Sequence, residues 1–454
     1  MSELSSKPNV IFVFADQWRA QSTGYNGDPN VQTPHLDALA GESINLENAI
    51  SSCPVCSPYR ASLITGRYPL SHGVFMNDVH LSAEAVSIAE AFADGGYDTA
   101  YIGKWHLDGR GRSAFIPREA RQGFDFWKVL ECTHDYNNSH YYGDTPERLT
   151  WDGYDAIAQT REAERYIREH DADKPFLLVL SWGPPHNPFH TAPERYEAIY
   201  RTMLEEDRLE LRPNVPDTVR EQALDELSGY CAHITALDDC IGDLVKTLAD
   251  TGLDDNTVLV FTSDHGEMLG SHAMWRKQKP WDESMRVPFL LRYPERFGRA
   301  PRTCSKFIDA PDIMPTLLSL CDVSIPDTVE GKDVTACLEG APPPEDDCGL
   351  VACYAPFGEF ARTGEGKEYR GVRTARYTYA RDLDGPWLLY DNERDPYQLT
   401  NLCRVDEYAR VQDRLERLLK RKLEEMDDAF LPGSAYIEQW GYPLDKTGTV
   451  PYTN

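Results

Sequence analysis

Asn9-Val10-Ile11-Phe12-Val13-Phe14-Ala15-Asp16-Gln17-Trp18 is an unbroken apolar run closed by an acid and an amide. Such a run predicts a strand covered on both faces, with polar residues at its carboxyl end. The layout recurs three times. Residues 97–102 lead into Gly103-Lys104-Trp105-His106, 176–180 into Pro184-Pro185-His186, and 257–262 into Ser263-Asp264-His265-Gly266-Glu267. Helical segments lie between them. One spans 87–94, with Ser87 and Glu90 as a capping box and Gly95 as its stop; a longer one runs from near Pro216 to Gly252, with Leu237, Ile241, Leu244, Val245 and Leu248 on one face. This alternation predicts a mainly parallel α/β sheet, and ligands of such sheets bind beyond the carboxyl ends of the strands. Asp16, Lys104, His106, His186, Asp264 and His265 are therefore expected on one rim. Taken singly, each also fits a turn or a loop-ordering role.

The stretch Ser52-Cys53-Pro54-Val55-Cys56-Ser57-Pro58-Tyr59-Arg60-Ala61-Ser62-Leu63-Ile64-Thr65-Gly66-Arg67 reads as a helix mouth, with Ser57 as N-cap, Pro58 in the first turn and Gly66 as the stop. Cys56 then faces the positive end of that helix, with Arg60 one turn inside. A thiol there, or an oxygen nucleophile made from it, meets groups that favour an anion. A buried structural cysteine is the plainer reading. Cys53 and Cys56 also have the spacing of half a zinc site, but no second Cys-x-x-Cys exists.

Further on come a strand at 287–293, a helix at 309–320 and a proline- and acid-rich connector at 339–347. Short strands at 370–380 and 387–390 and a charged amphipathic helix at 406–426 follow. We expect a catalytic α/β domain over 1–345, a large mixed sheet sandwiched by helices, and a smaller α+β domain with an antiparallel sheet over 346–454.

Forty-six basic against 74 acidic residues give a net charge of −28, which opposes nonspecific binding to nucleic acid or an anionic membrane. An anionic substrate would need a local basic pocket. Eleven cysteines, an odd number without a framework, predict mainly reduced thiols. No apolar run is long enough to span a membrane, and the first eight residues are polar and too short for a leader, so the expected location is cytoplasmic, or periplasmic or secreted if a leader was trimmed. Nothing in the sequence fixes an oligomeric state.

Cys56-x-Pro58-x-Arg60 followed by Ala61-Ser62-Leu63-Ile64-Thr65-Gly66-Arg67 resembles the signature of the type I sulfatases of the alkaline phosphatase superfamily. Other pieces resemble the family in order along the chain: Ala15-Asp16-Gln17, Gly103-Lys104-Trp105-His106-Leu107, Pro184-Pro185-His186-x-Pro188 and Ser263-Asp264-His265-Gly266-Glu267. Lys277 ahead of Asp282-Glu283-Ser284-Met285-Arg286-Val287-Pro288, then Leu389-Tyr390-Asp391 to Asp395-Pro396 with Asn401-Leu402, complete the series.

The resemblance implies an alkaline-phosphatase-like fold and oxidation of Cys56 to formylglycine by a formylglycine-generating or sulfatase-maturing enzyme. It implies a divalent metal held by Asp16, Gln17, Asp264 and His265 together with the residue at 56. Calcium is the expected ion. Magnesium also suits the two carboxylates; many sulfatases carry a second Asp and an Asn where this chain has Gln17 and His265, and the nitrogen ligand tilts toward manganese or zinc. By the same resemblance, a formylglycine hydroxyl attacks sulfur and His106 takes the proton that releases sulfate. Arg60 and Lys104 stabilise hydrate and sulfate, His186 and Lys277 bind sulfate and protonate the leaving oxygen, and Asn77 lies on the sulfate side. Lys277 is preferred to Lys279 by its spacing to Val287-Pro288.

Two stretches bear on the substrate. Arg110, with Arg112, Arg118 and Arg121, forms a candidate basic patch, and Cys132-Thr133-His134-Asp135-Tyr136-Asn137-Asn138 mixes groups suited to sugar hydroxyls. A salt-bridged surface loop and a structural turn are the plainer readings. The expected activity is hydrolysis of a sulfate ester of a carbohydrate or a small aryl alcohol. A phosphonate monoester or phosphodiester hydrolase, and a noncatalytic binder of sulfated glycans, are the alternatives.

Overall fold

A computed structural model describes residues 7–171, 173–446 and 450–451. Eight strands form the main sheet: β1 (Asn9–Asp16), β2 (Ile44–Leu46), β3 (Asp98–Lys104), β4 (Phe126–Leu130), β5 (Phe176–Pro185), β6 (Thr257–Ser263), β7 (Phe289–Arg292) and β8 (Arg302–Cys304). Their order is β8-β2-β7-β6-β1-β5-β3-β4. The run from β6 to β4 is parallel, whereas β7 is antiparallel to both β6 and β2. The sheet is thus mixed and mostly parallel, as expected from the sequence. The four strands with polar ends, β6, β1, β5 and β3, are consecutive neighbours.

β1 shows why its run is apolar throughout. Val10, Phe12 and Phe14 pack on one face, against the helices α1 (Cys56–Thr65), α2 (Ile88–Asp94) and α5 (Ala310–Leu320). Ile11, Val13 and Ala15 pack on the other, against α3 (Asp155–Glu169) and α4 (Arg220–Thr251). Successive residues bury their side chains in opposite layers, so no position tolerates a polar group until the strand ends. The capping box of Ser87 and Glu90 is formed, and α4 ends at Gly252, which takes φ 73.

One local expectation is corrected. α1 begins at Cys56 with Val55 as its cap, and neither Val55 nor Ser57 caps it with a side chain. Ser57 instead donates from Oγ to the His106 carbonyl at 2.8 Å, a tertiary acceptor that the local sequence does not reveal. Gly66 stops the helix in the left-handed conformation, φ 64.

The strands β9 (Cys348–Cys353), β10 (Tyr369–Thr374), β11 (Tyr377–Asp382) and β12 (Gly385–Asp391) form a separate antiparallel sheet in sequential order. On one face Leu350, Val372, Tyr379 and Leu389 pack with Leu415, Leu418 and Leu419 of α6 (Ala409–Glu425). The other face packs Val351, Tyr369 and Tyr390 against Ile50, Met268 and Met285 of the first unit. That packing brings the loop between β9 and β10 over the rim of the main sheet.

Candidate active site

β1 ends in Asp16 and β3 in Lys104, while β5 runs into His186 and β6 into Asp264 and His265. Because these strands adjoin, the residues meet, and α1 aims its first residue at them. Cys56 Sγ lies 3.0 Å from Lys277 Nζ, 3.3 Å from His265 Nε2 and 3.6 Å from Asp16 Oδ1. Two turns that present this group are strained: Gln17 takes φ 71 and His106 φ 61. Gln17 is pinned by its N–H to Asp264 Oδ1 at 3.0 Å and by the Tyr230 hydroxyl on its carbonyl at 2.8 Å.

Asp16, Cys56, Asp264 and His265 are all buried, and each offers a ligand atom within 4.8 Å of the others. Gln17 adds a further sign of a cation. Its amide nitrogen is held by Glu267 Oε2 at 2.7 Å, while Oε1 is buried without a partner. Two carboxylates, a histidine and an orphaned amide oxygen next to Asp16 in sequence fit a divalent metal. His265 Nδ1 is engaged by the Gly266 carbonyl at 2.9 Å, leaving Nε2 for the cluster.

Arg60 lies under this group and outside the cavity lining. Its Nη2 reaches Asp16 Oδ2 at 3.2 Å and Asp264 Oδ2 at 3.1 Å, and its Nη1 donates to Ser181 Oγ and the Lys104 carbonyl. It therefore holds the two carboxylates in place. Lys104 Nζ sits 2.5 Å from Asp16 Oδ2.

Burial and Asp16 oppose ionisation of the Cys56 thiol, but Lys104, Lys277 and His265 together hold it well below the usual range. Burial would raise Asp16, yet Lys104 and His186 bring it well down. Asp264 is pushed up to about 6 by burial and by Asp16 beside it. For His265 burial works against the charge, and Asp264 overcomes it, raising the ring to about 10.

Above Cys56 opens a cavity of about 290 Å³. Lys277 and His186 line it, and Lys277 Nζ is 2.9 Å from His186 Nε2. Lys279 points elsewhere, its ammonium held by the carbonyls of Trp275 and Lys277. His134 also lines the cavity and stacks on His186, with ring centroids 4.7 Å apart and planes 5° from parallel. Phe357, Gly358 and Glu359 enter from the loop between β9 and β10.

Other expected residues are placed differently. Arg110 lies outside the lining, half-exposed and paired with Asp108, and Asp135 stands in an exposed turn. Arg118 pairs with Asp125 on the surface, and Arg121 is buried against Asp144. Of the candidate basic patch only Arg112 reaches the cavity. Asn77 lines it too, but Oδ1 accepts from the Ser57 N–H at 3.0 Å, so its side chain closes the open end of α1.

Two carboxylates were missed. Asp78 accepts from Arg112 Nε at 2.9 Å and Nη2 at 2.8 Å, and lies 3.2 Å from His106 Nε2. His106 Nδ1 is buried without a partner. Burial disfavours the charged ring, but Cys132 and Asp78 raise it to about 10. Glu131, at the end of β4, accepts from the N–H groups of Leu107, Asp108 and Gly109, and so fixes the loop that follows His106. Asp78 takes φ 64 in an irregular loop, where sequence periodicity carries no signal.

Residues 8–323 match the family model described as Sulfatase, and residues 270–426 the one described as N-sulphoglucosamine sulphohydrolase, C-terminal. An ulvan-active sulfatase of Formosa agariphila is 45% identical over 452 residues, covering 98% of this chain and 87% of the relative. An endo-4-O-sulfatase of Bacteroides thetaiotaomicron is 32% identical, with 94% of each chain covered. A solved structure from the same organism, described under the metabolism of multiple glycosaminoglycans, is 32% identical with a TM-score of 0.85, covering 96% of this chain and 98% of its own.

Proposed function

This chain belongs to the sulfatase family, and from that premise we propose that it cleaves sulfate esters of a carbohydrate, with residue 56 as formylglycine at the reacting centre. It is a sulfuric ester hydrolase. The observation that carries the proposal is the meeting of Cys56, Lys277 and His265 at the base of the cavity, with Cys56 Sγ 3.0 Å from the lysine and 3.3 Å from the imidazole. The named activities of the two relatives, on ulvan and as an endo-4-O-sulfatase, support a saccharide.

The groups implied by the family supply an oxygen nucleophile, from oxidation of Cys56, and a divalent charge, from a metal held by Asp16, Gln17, Asp264 and His265. The two carboxylates favour calcium and also suit magnesium, and His265 extends the choice to manganese or zinc. Lys104 and Lys277 provide the local positive charge that a sulfate needs in a protein of net charge −28. Lys277 also donates to His186, so the pair can pass a proton to the departing alcohol oxygen. His106 is held by Asp78 at Nε2 and has no partner at Nδ1; its ring, raised to about 10, carries a proton at neutral pH and acts as a base only after giving that proton up. Arg60 acts from below by fixing the carboxylates.

A formylglycine-generating or sulfatase-maturing enzyme is the required partner. Conversion lowers the mass of the peptide containing residue 56 by about 18 Da, since sulfur and two hydrogens give way to oxygen. Fully converted protein should then hydrolyse 4-nitrocatechol sulfate far faster than an aryl phosphonate monoester. Negligible sulfate turnover by that preparation would overturn the proposal.

A further inference from the structure

A second cavity, of about 480 Å³, shares no lining residue with the catalytic one. Arg19, Gln21, Arg212 and Arg286 line it. Gly266, which follows His265, packs beside Arg19, where a side chain would meet the Glu283 carbonyl at 2.0 Å.

Arg19 is 4% exposed, and its one side-chain bond is from Nε to Ser22 Oγ at 2.8 Å. Among the described residues no carboxylate pairs with it. A guanidinium so enclosed, without a counter-ion, carries a large desolvation cost unless an anion joins it. Arg286 repeats the pattern in part. Its Nη2 donates to the Glu47 carbonyl and its Nη1 is 3.5 Å from Asp282, but Nε is buried without a partner. Arg212 is already paired with Glu283 at 2.9 Å and stacked over Tyr397 at 5.0 Å, so it adds a fixed positive edge. Asp28 and Glu210 also line the cavity; Asp28 Oδ1 is occupied by Asn30.

Gln21 decides the ligand class. Its Oε1 is buried without a partner and needs a donor. A bare oxyanion satisfies the arginines and offers that oxygen nothing. A sugar unit bearing a sulfate or carboxylate supplies both an anion and hydroxyl donors. We propose that this cavity is a second site, away from the point of cleavage, for an anionic sugar unit of a saccharide. That the sugar belongs to the substrate rests on the function proposed above; the anion site itself does not.

Affinity electrophoresis of the full chain tests this, in native gels holding dextran sulfate, carboxymethyl dextran or plain dextran. The net charge of −28 opposes nonspecific attachment to either polyanion. We expect retardation by one or both charged polymers and none by plain dextran. Gln21→Glu breaks no bond of the fold and puts a counter-charge in the cavity, and Arg286→Gln removes one donor while Asp282 keeps Arg373. Each should raise the apparent dissociation constant at least about tenfold, with kcat/KM on 4-nitrocatechol sulfate within about twofold of the parent. No retardation of the parent, or equal retardation of Gln21→Glu, overturns the proposal. Retardation that depends on Gln21 in a protein without sulfatase turnover would sink the proposed function and leave the site standing.

Discussion

Nε2 of His186 lies 2.9 Å from Nζ of Lys277, while Nδ1 of the same ring faces the Asn187 carbonyl at 2.8 Å. Burial and the adjacent ammonium drive the imidazole well below its usual pKa, so Nδ1 carries the proton and Nε2 accepts from the lysine. The two side chains act as one donor. Lys277→Ala should lower kcat/KM on an aryl sulfate by about 100-fold or more. Lys279→Ala, whose ammonium is already spent on two carbonyls, should stay within about tenfold. Equal losses in the two variants would reject the assignment.

Asp78 orients His106 and is itself gripped by Arg112. Asp78→Asn keeps the shape and weakens that grip, so kcat should fall about tenfold to 100-fold with KM changed less. A change confined to KM would make Asp78 a substrate contact instead.

Gln17 Oε1 is a buried acceptor without a partner, in the residue that follows Asp16. Treating the protein with a chelator should abolish turnover and lower the melting temperature, and restoring a divalent ion should reverse both. In Gln17→Leu the metal concentration needed for half-recovery should rise about tenfold. An unchanged requirement would remove Gln17 from the ligand set.

Asp155, the first residue of α3, is 1% exposed and has an unpartnered Oδ1. Burial pushes its carboxyl up to about 8. A carboxyl whose folded pKa lies above its unfolded value favours the fold while protonated and costs stability as pH rises from about 4 toward 8. Asp155→Asn cannot ionise. The variant and the parent should melt alike near pH 4, and the variant at least about 2 °C higher at pH 9. A parent that gains on the variant with rising pH would contradict this.

The strands were legible because a segment buried on both faces has no room for polar residues, and the rim residues followed from where those runs stop. Asp16, Lys104, His186 and Asp264 needed only that rule and the parallel order. Asp78 and Arg112 were harder to see, since both lie in irregular loops where no period reveals which side chain turns inward. Arg110 and Arg112 are two residues apart, and the backbone decides between them: the Arg112 carbonyl is tied to the Cys132 N–H at 3.0 Å. The intrusion of Phe357 and Glu359 depends on packing the antiparallel sheet against Ile50, Met268 and Met285, which local sequence does not encode.

Cys56 is 1% exposed at the base of its cavity, and every residue of the helix it opens is buried. A maturing enzyme of the kind proposed above would find this side chain out of reach in the finished fold. Folding therefore sets a deadline. On the maturation proposed above, chains that close before residue 56 is oxidised would stay idle, so the yield of active protein would be set by a race between two rates, before any substrate is met.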